Sequence, residues 1–83
     1  MLKVLEQMSK KQPIRFLVCV RNDGYPEALE LRKLYRAIPD ATAARVDMVR
    51  VVDESWDDYL YPKGFFAPVR LTPPARKALA AAR

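Results

Sequence analysis

Arg45-Val-Asp-Met-Val-Arg-Val-Val-Asp53-Glu-Ser-Trp56-Asp-Asp58-Tyr-Leu-Tyr-Pro62-Lys-Gly-Phe-Phe66-Ala-Pro-Val-Arg-Leu71 is the stretch that decides the fold. It contains a β-branched run over Val46–Asp53, a polar turn over Asp53–Asp58 and a short aromatic strand over Tyr59–Tyr61 closed by Pro62. A glycine-containing corner at Lys63–Phe66 and a last short strand over Ala67–Leu71 complete it. Short strands joined by tight turns predict a small antiparallel barrel or a strongly bent sheet. The corner predicts a 3₁₀ turn, and Pro68 suits an edge or a strand start. Nothing in the stretch forms a catalytic constellation.

Upstream, Ile14–Arg21 alternates as a strand, with Ile14, Phe16, Val18 and Val20 expected to face the core. The intervening Leu17 and Cys19 are also apolar, so this strand is expected to be covered on both faces, a terminal helix being one candidate cover. Asn22-Asp-Gly24 is a turn signal. Tyr25–Ile38 reads two ways. With Pro26 at the first helical position it forms a helix bearing Ala28, Leu31, Leu34, Tyr35 and Ile38 on one stripe; it also reads as a long curved strand. Pro39-Asp40 ends it, and Ala41-Thr-Ala-Ala44 suits one helical turn capped by Asp40.

The ends differ in character. Residues 1–11 place Val4, Leu5 and Met8 at helical spacing, a piece marginal in isolation. Thr72-Pro-Pro74 introduces an alanine-rich helix over Ala75–Arg83. The 83 residues are expected to form a single domain: an N-terminal extension (1–13), a barrel (14–72) and a C-terminal helix (73–83). A chain of this size buries only about 60% of its unfolded surface, so the core must be dense. A hydrophobic content of 51% is enough to build one.

Composition removes several functions. With no histidine and one cysteine, there is no Ser-His-Asp or Cys-His nucleophile, no internal disulfide, and no donor set for a structural zinc site. The two glycines, Gly24 and Gly64, cannot make a phosphate loop. No enzyme activity, metal or cofactor is expected. Neither a membrane span nor a secretory leader is legible, and a reduced, cytoplasmic setting is expected. The net charge of +5 sits at the ends. Residues 1–15 carry four basic side chains against Glu6, residues 73–83 carry Arg76, Lys77 and Arg83 without an acid, and residues 16–72 are close to neutral.

Five motifs, taken in order, carry a resemblance. They are Asn22-Asp-Gly-Tyr25, Lys33-Leu-Tyr-Arg-Ala-Ile-Pro-Asp40, Arg50-Val-Val-Asp-Glu-Ser55, Asp58-Tyr-Leu-Tyr-Pro62 and Phe66-Ala-Pro-Val69. Over Phe16–Leu71 the chain resembles a group of small bacterial proteins with an SH3-like β-barrel and no well-defined function. The resemblance implies a mainly β fold: a five-stranded SH3-like barrel with short N- and C-terminal helical extensions, in which Leu29–Ile38 is mainly strand. The chain departs from it at Trp56, where such turns hold a glycine.

The barrel fold does not choose a function. The leading expectation is a non-enzymatic interaction module, an accessory or adaptor protein or a small subunit. It would bind a protein partner through an aromatic-acidic face of Trp56, Tyr59, Tyr61, Tyr35, Asp57 and Asp58, because an exposed indole beside tyrosines is a hydrophobic anchor. The alternative is RNA or DNA binding through Lys10, Lys11, Arg76 and Lys77 of the ends together with Arg50 and Arg70, expected on neighbouring strands. The acidic turn also allows pairing with the basic ends of a second copy, hence a homo-oligomer.

Overall fold

Five short strands form one antiparallel sheet: β1 (Arg15–Cys19), β2 (Leu34–Ile38), β3 (Met48–Val52), β4 (Asp58–Pro62) and β5 (Phe66–Pro68). This computed structural model describes residues 15–81; the helix expected over 1–11 and the side chains of Lys10 and Lys11 lie outside them. The spatial order is β4-β3-β2-β1-β5, so β4 and β5 are the two edges. The chain nevertheless passes from one edge to the other through the three-residue 3₁₀ turn Lys63–Phe65. In a flat sheet, four steps of about 4.8 Å would hold the edges about 19 Å apart, whereas three residues of 3₁₀ helix advance about 6 Å. The connection therefore requires a curled sheet, and the strands form a half-barrel.

The concave face holds the main core. Cys19, Leu29 and Val51 are fully buried, with Tyr35, Tyr61 and Phe66 around them. Register explains the grouping: Leu17 pairs with Tyr35, Ala37 with Val51 and Val49 with Tyr61, each pair sharing this face. The Tyr25 ring meets the Tyr61 ring edge-on, with centroids 5.1 Å apart.

Two expectations about packing are corrected. On β1 the main core takes Leu17 and Cys19, not the alternate set: Phe16 is buried on the opposite face and Val20 is 49% exposed. A strand apolar on both faces carries no alternation to set its phase, and a one-residue shift exchanges the faces. Tyr25–Ile38 is neither a helix nor a long strand. Ala28 and Leu29 donate their N–H groups to the Tyr25 carbonyl in one turn, Arg32 takes φ 66°, and its N–H reaches the Cys19 carbonyl. Only Leu34–Ile38 is strand. The helical stripe would have needed Leu31 and Ile38 inside, and both are exposed.

The remaining elements follow local rules. Asp40 caps α1 (Ala41–Arg45), its Oδ1 accepting the Ala43 N–H at 3.0 Å. Asp47, at φ 59°, then turns the chain into β3, which starts at Met48 rather than Val46. The closing strand is shorter than expected and begins at Phe66. The C-terminal helix, α2, spans Pro73–Ala81, with both prolines in its first turn where no intrahelical N–H is needed. None of its residues is buried; Ala75 and Leu79 are its half-covered side chains.

Candidate functional site

The Asp53–Asp58 turn is built from the inside. The Asp53 side chain is 5% exposed. Its Oδ1 accepts the Ser55 N–H (2.8 Å) and the Ser55 hydroxyl (2.6 Å), and its Oδ2 accepts the Tyr61 hydroxyl. Burial alone would raise this carboxyl; the Ser55 hydroxyl, the Tyr61 hydroxyl and the Ser55 amide reverse that and hold it below the usual aspartate value. Drawing the Asp53 carboxylate inward tightens the loop, with the Trp56 N–H on the Asp53 carbonyl (3.0 Å) and the Asp53 N–H on the Asp57 carbonyl (3.1 Å). Trp56 is left at φ 73°, the left-handed region that favours glycine. Its indole is 58% exposed.

Glu54 makes a parallel set of contacts. It accepts the Tyr35 hydroxyl and pairs with Lys33 Nζ at 2.7 Å, while its N–H reaches the Ala28 carbonyl at 3.0 Å. Lys33, then the Tyr35 hydroxyl, hold the Glu54 carboxyl below its ordinary range. Burial first, and the neighbouring carboxylates second, push the Tyr35 and Tyr61 hydroxyls well above the ordinary tyrosine value. These two phenols hold acidic side chains, Tyr35 on Glu54 and Tyr61 on Asp53.

Beside the turn, on the convex face, lies a groove of about 210 Å³ lined by Phe16, Leu34, Arg36, Val52, Trp56 and Leu79 of α2, with Lys33, Tyr35, Asp53 and Glu54 completing its wall. The Phe16–Arg36–Val52 register places three neighbouring strands beneath it. It is mainly apolar, yet the Arg36 Nε is buried there without a hydrogen-bond partner among the described residues. An unmet buried donor costs on the order of 1–3 kcal/mol.

The structure divides the expected aromatic-acidic face. Trp56, Tyr59 (51% exposed), Asp57 and Asp58 are on the surface. Tyr35 and Tyr61 are not; both belong to the core, the Tyr61 hydroxyl donating to Asp53 and the Tyr35 hydroxyl donating to Glu54 while accepting the Glu30 N–H at 2.8 Å. The basic set is also divided. Arg50 donates from Nε to Asp40 (2.9 Å) and from Nη1 to Asp58 (3.0 Å), tying the α1 cap to β4. Arg70 lies beyond β5, and β1 and β2 separate β5 from β3, so Arg50 and Arg70 do not sit on neighbouring strands. Arg76 and Lys77 lie exposed on α2.

Sequence reading missed the groove residues Phe16, Leu34, Arg36, Val52 and Leu79. The one available signal was the apolar character of both faces of β1, which requires a second packing surface. No family profile, curated protein or solved structure matches the chain. No helix among the described residues is long and apolar enough to cross a membrane.

Proposed function

We propose that this chain is a non-enzymatic interaction module, an accessory protein or small subunit, that grips a protein partner at Trp56 and the adjoining convex groove. Five curled antiparallel strands with a 3₁₀ corner before the last one support the finer reading of the fold as an SH3-like barrel. The observation that carries the function is Trp56 itself. A left-handed backbone costs a non-glycine residue about 1–2 kcal/mol, and here it serves to hold an indole largely in solvent. Backbone strain of this kind clusters where a contact is made. The partner chemistry follows from the groove: an apolar side chain against Phe16, Val52 and Trp56, and an oxygen acceptor for Arg36. Nucleic acid is the poorer fit, because Asp53 and Glu54 line the same groove, Asp57 directly follows Trp56, and the Arg50 guanidinium is committed to two carboxylates.

The decisive variant is Trp56→Gly, which removes the anchor while relieving the backbone. Wild type and variant are used for affinity capture with and without nuclease, and the protein retained by wild type is purified and titrated calorimetrically against both. The expected result is an affinity at least about tenfold weaker for a folded Trp56→Gly chain. Equal affinity, or retention that nuclease abolishes, overturns the reading.

A further inference from the structure

The two sheet edges are unequal. β5 has three residues and ends in Pro68, a blunt edge. β4 has five residues and pairs with β3 on one side only. The bonds that bracket β4 establish which of its backbone groups point outward. Lys63 donates its N–H to the Asp47 carbonyl, and the Asp57 carbonyl accepts the Asp53 N–H. Antiparallel pairing alternates with period two, so Tyr59 and Tyr61 turn their backbone groups toward β3. The N–H and C=O of Asp58 and Leu60 therefore face away from the sheet, while the carbonyl of Pro62, the N-cap of the 3₁₀ turn, is taken up inside that turn. No described group bonds to those of Asp58 and Leu60. At their centre Leu60 is 40% exposed.

This edge is complementary to itself. When β4 lies antiparallel to another β4 about a two-fold axis at Leu60, the two Leu60 residues exchange a pair of backbone bonds. Each Asp58 lies opposite a Pro62 of the second copy, which has no N–H and whose carbonyl already serves the 3₁₀ turn, so the backbone pairing is the Leu60 exchange. Continued one residue past each end of the strand, the same register sets Asp57 across from Lys63 of the second copy, twice, an opposite-charge pair. The Asp58 carboxylate is already neutralised by Arg50 in its own chain, so it adds no repulsion. A parallel pairing would instead bring Asp57 against Asp57.

We propose that β4 is a self-association strand, and that two copies of this chain pair antiparallel through Asp58–Pro62 into one continuous ten-stranded sheet. This is independent of the Trp56 groove.

Sedimentation equilibrium of the full chain from about 1 µM to about 1 mM at low salt tests it. A monomer–dimer equilibrium is expected. Leu60→Pro removes only an outward N–H and leaves the β3–β4 ladder intact, so it should abolish the dimer while circular dichroism stays native. Because that variant can also unfold, charge variants are read beside it. Asp57→Lys and Lys63→Asp should each weaken the dimer by about tenfold, and the double variant should restore it to within about threefold. A monomer throughout, a trimer or larger ring, or a double variant no tighter than the single ones overturns the proposal.

Discussion

At the scale of single residues, the tyrosines show how far alternation reaches. Tyr59 and Tyr61 do share a face, as their spacing dictates, but spacing is silent on how deep each one lies. Tyr61 is inside and Tyr59 is half out, because β4 is an edge strand whose central positions β3 covers from one side only. Tyr61→Phe should lower stability by about 1–3 kcal/mol in urea unfolding, since it leaves the buried Asp53 carboxylate short of a donor. Tyr35→Phe should cost less, because Glu54 is half-buried and keeps Lys33. Trp56 gives the opposite sign. Trp56→Gly should leave stability within about 1 kcal/mol of wild type or raise it, and Trp56→Ala should be the less stable of the two, because alanine retains the left-handed cost. If the alanine variant proved the more stable, the left-handed backbone cost would not govern this turn.

At the scale of elements, those with a local code were legible. The Asp40 cap, the 3₁₀ corner, the Asp53–Asp58 turn and the proline-led C-terminal helix each depend on residues within a few positions of one another. Segments that depend on distant partners were not legible. The helical pattern of Pro26–Ile38 is overridden because β1 and β3 both take hydrogen-bonding partners from Leu34–Ile38. Leu29 is then drawn into the core, where the Asn22 side chain holds its carbonyl at 2.9 Å. The two glycines separate the same way. Gly24, at φ 85°, should resist Gly24→Ala at a cost of about 1 kcal/mol although nothing crowds its Cβ position. Gly64 needs no positive φ and has open space, so Gly64→Ala should change stability by less than about 0.5 kcal/mol. Thermal melts of both variants check the contrast.

At the scale of the whole molecule, stability should form a plateau in pH. The Asp53 and Glu54 carboxyls lie below their unfolded values of 3.8 and 4.5 in the folded chain. Their contribution is therefore complete above those values and lost as pH falls through the lowered ones. The Tyr35 and Tyr61 hydroxyls lie above 10.0, so their contribution is complete below 10.0 and lost as pH rises beyond it. With no histidine, and with burial pushing the Cys19 thiol upward, the melting temperature should be flat between about pH 5 and about pH 9 and fall on both sides. Tyr61→Phe should shrink both limbs. The same distinction between near and far accounts for what could be read in advance. The sequence alone determined strand-rich character, the places of the turns and caps, and the absence of histidine chemistry, because composition and short-range stereochemistry travel with the chain. Only the tertiary structure decided which face of β1 is inner, that Tyr35 and Tyr61 are core, and that Phe16, Arg36, Val52, Trp56 and Leu79 meet in one groove. Those outcomes depend on the curl that joins the β4 edge to the β5 edge, and a curl is set by strand pairing between residues far apart in the chain.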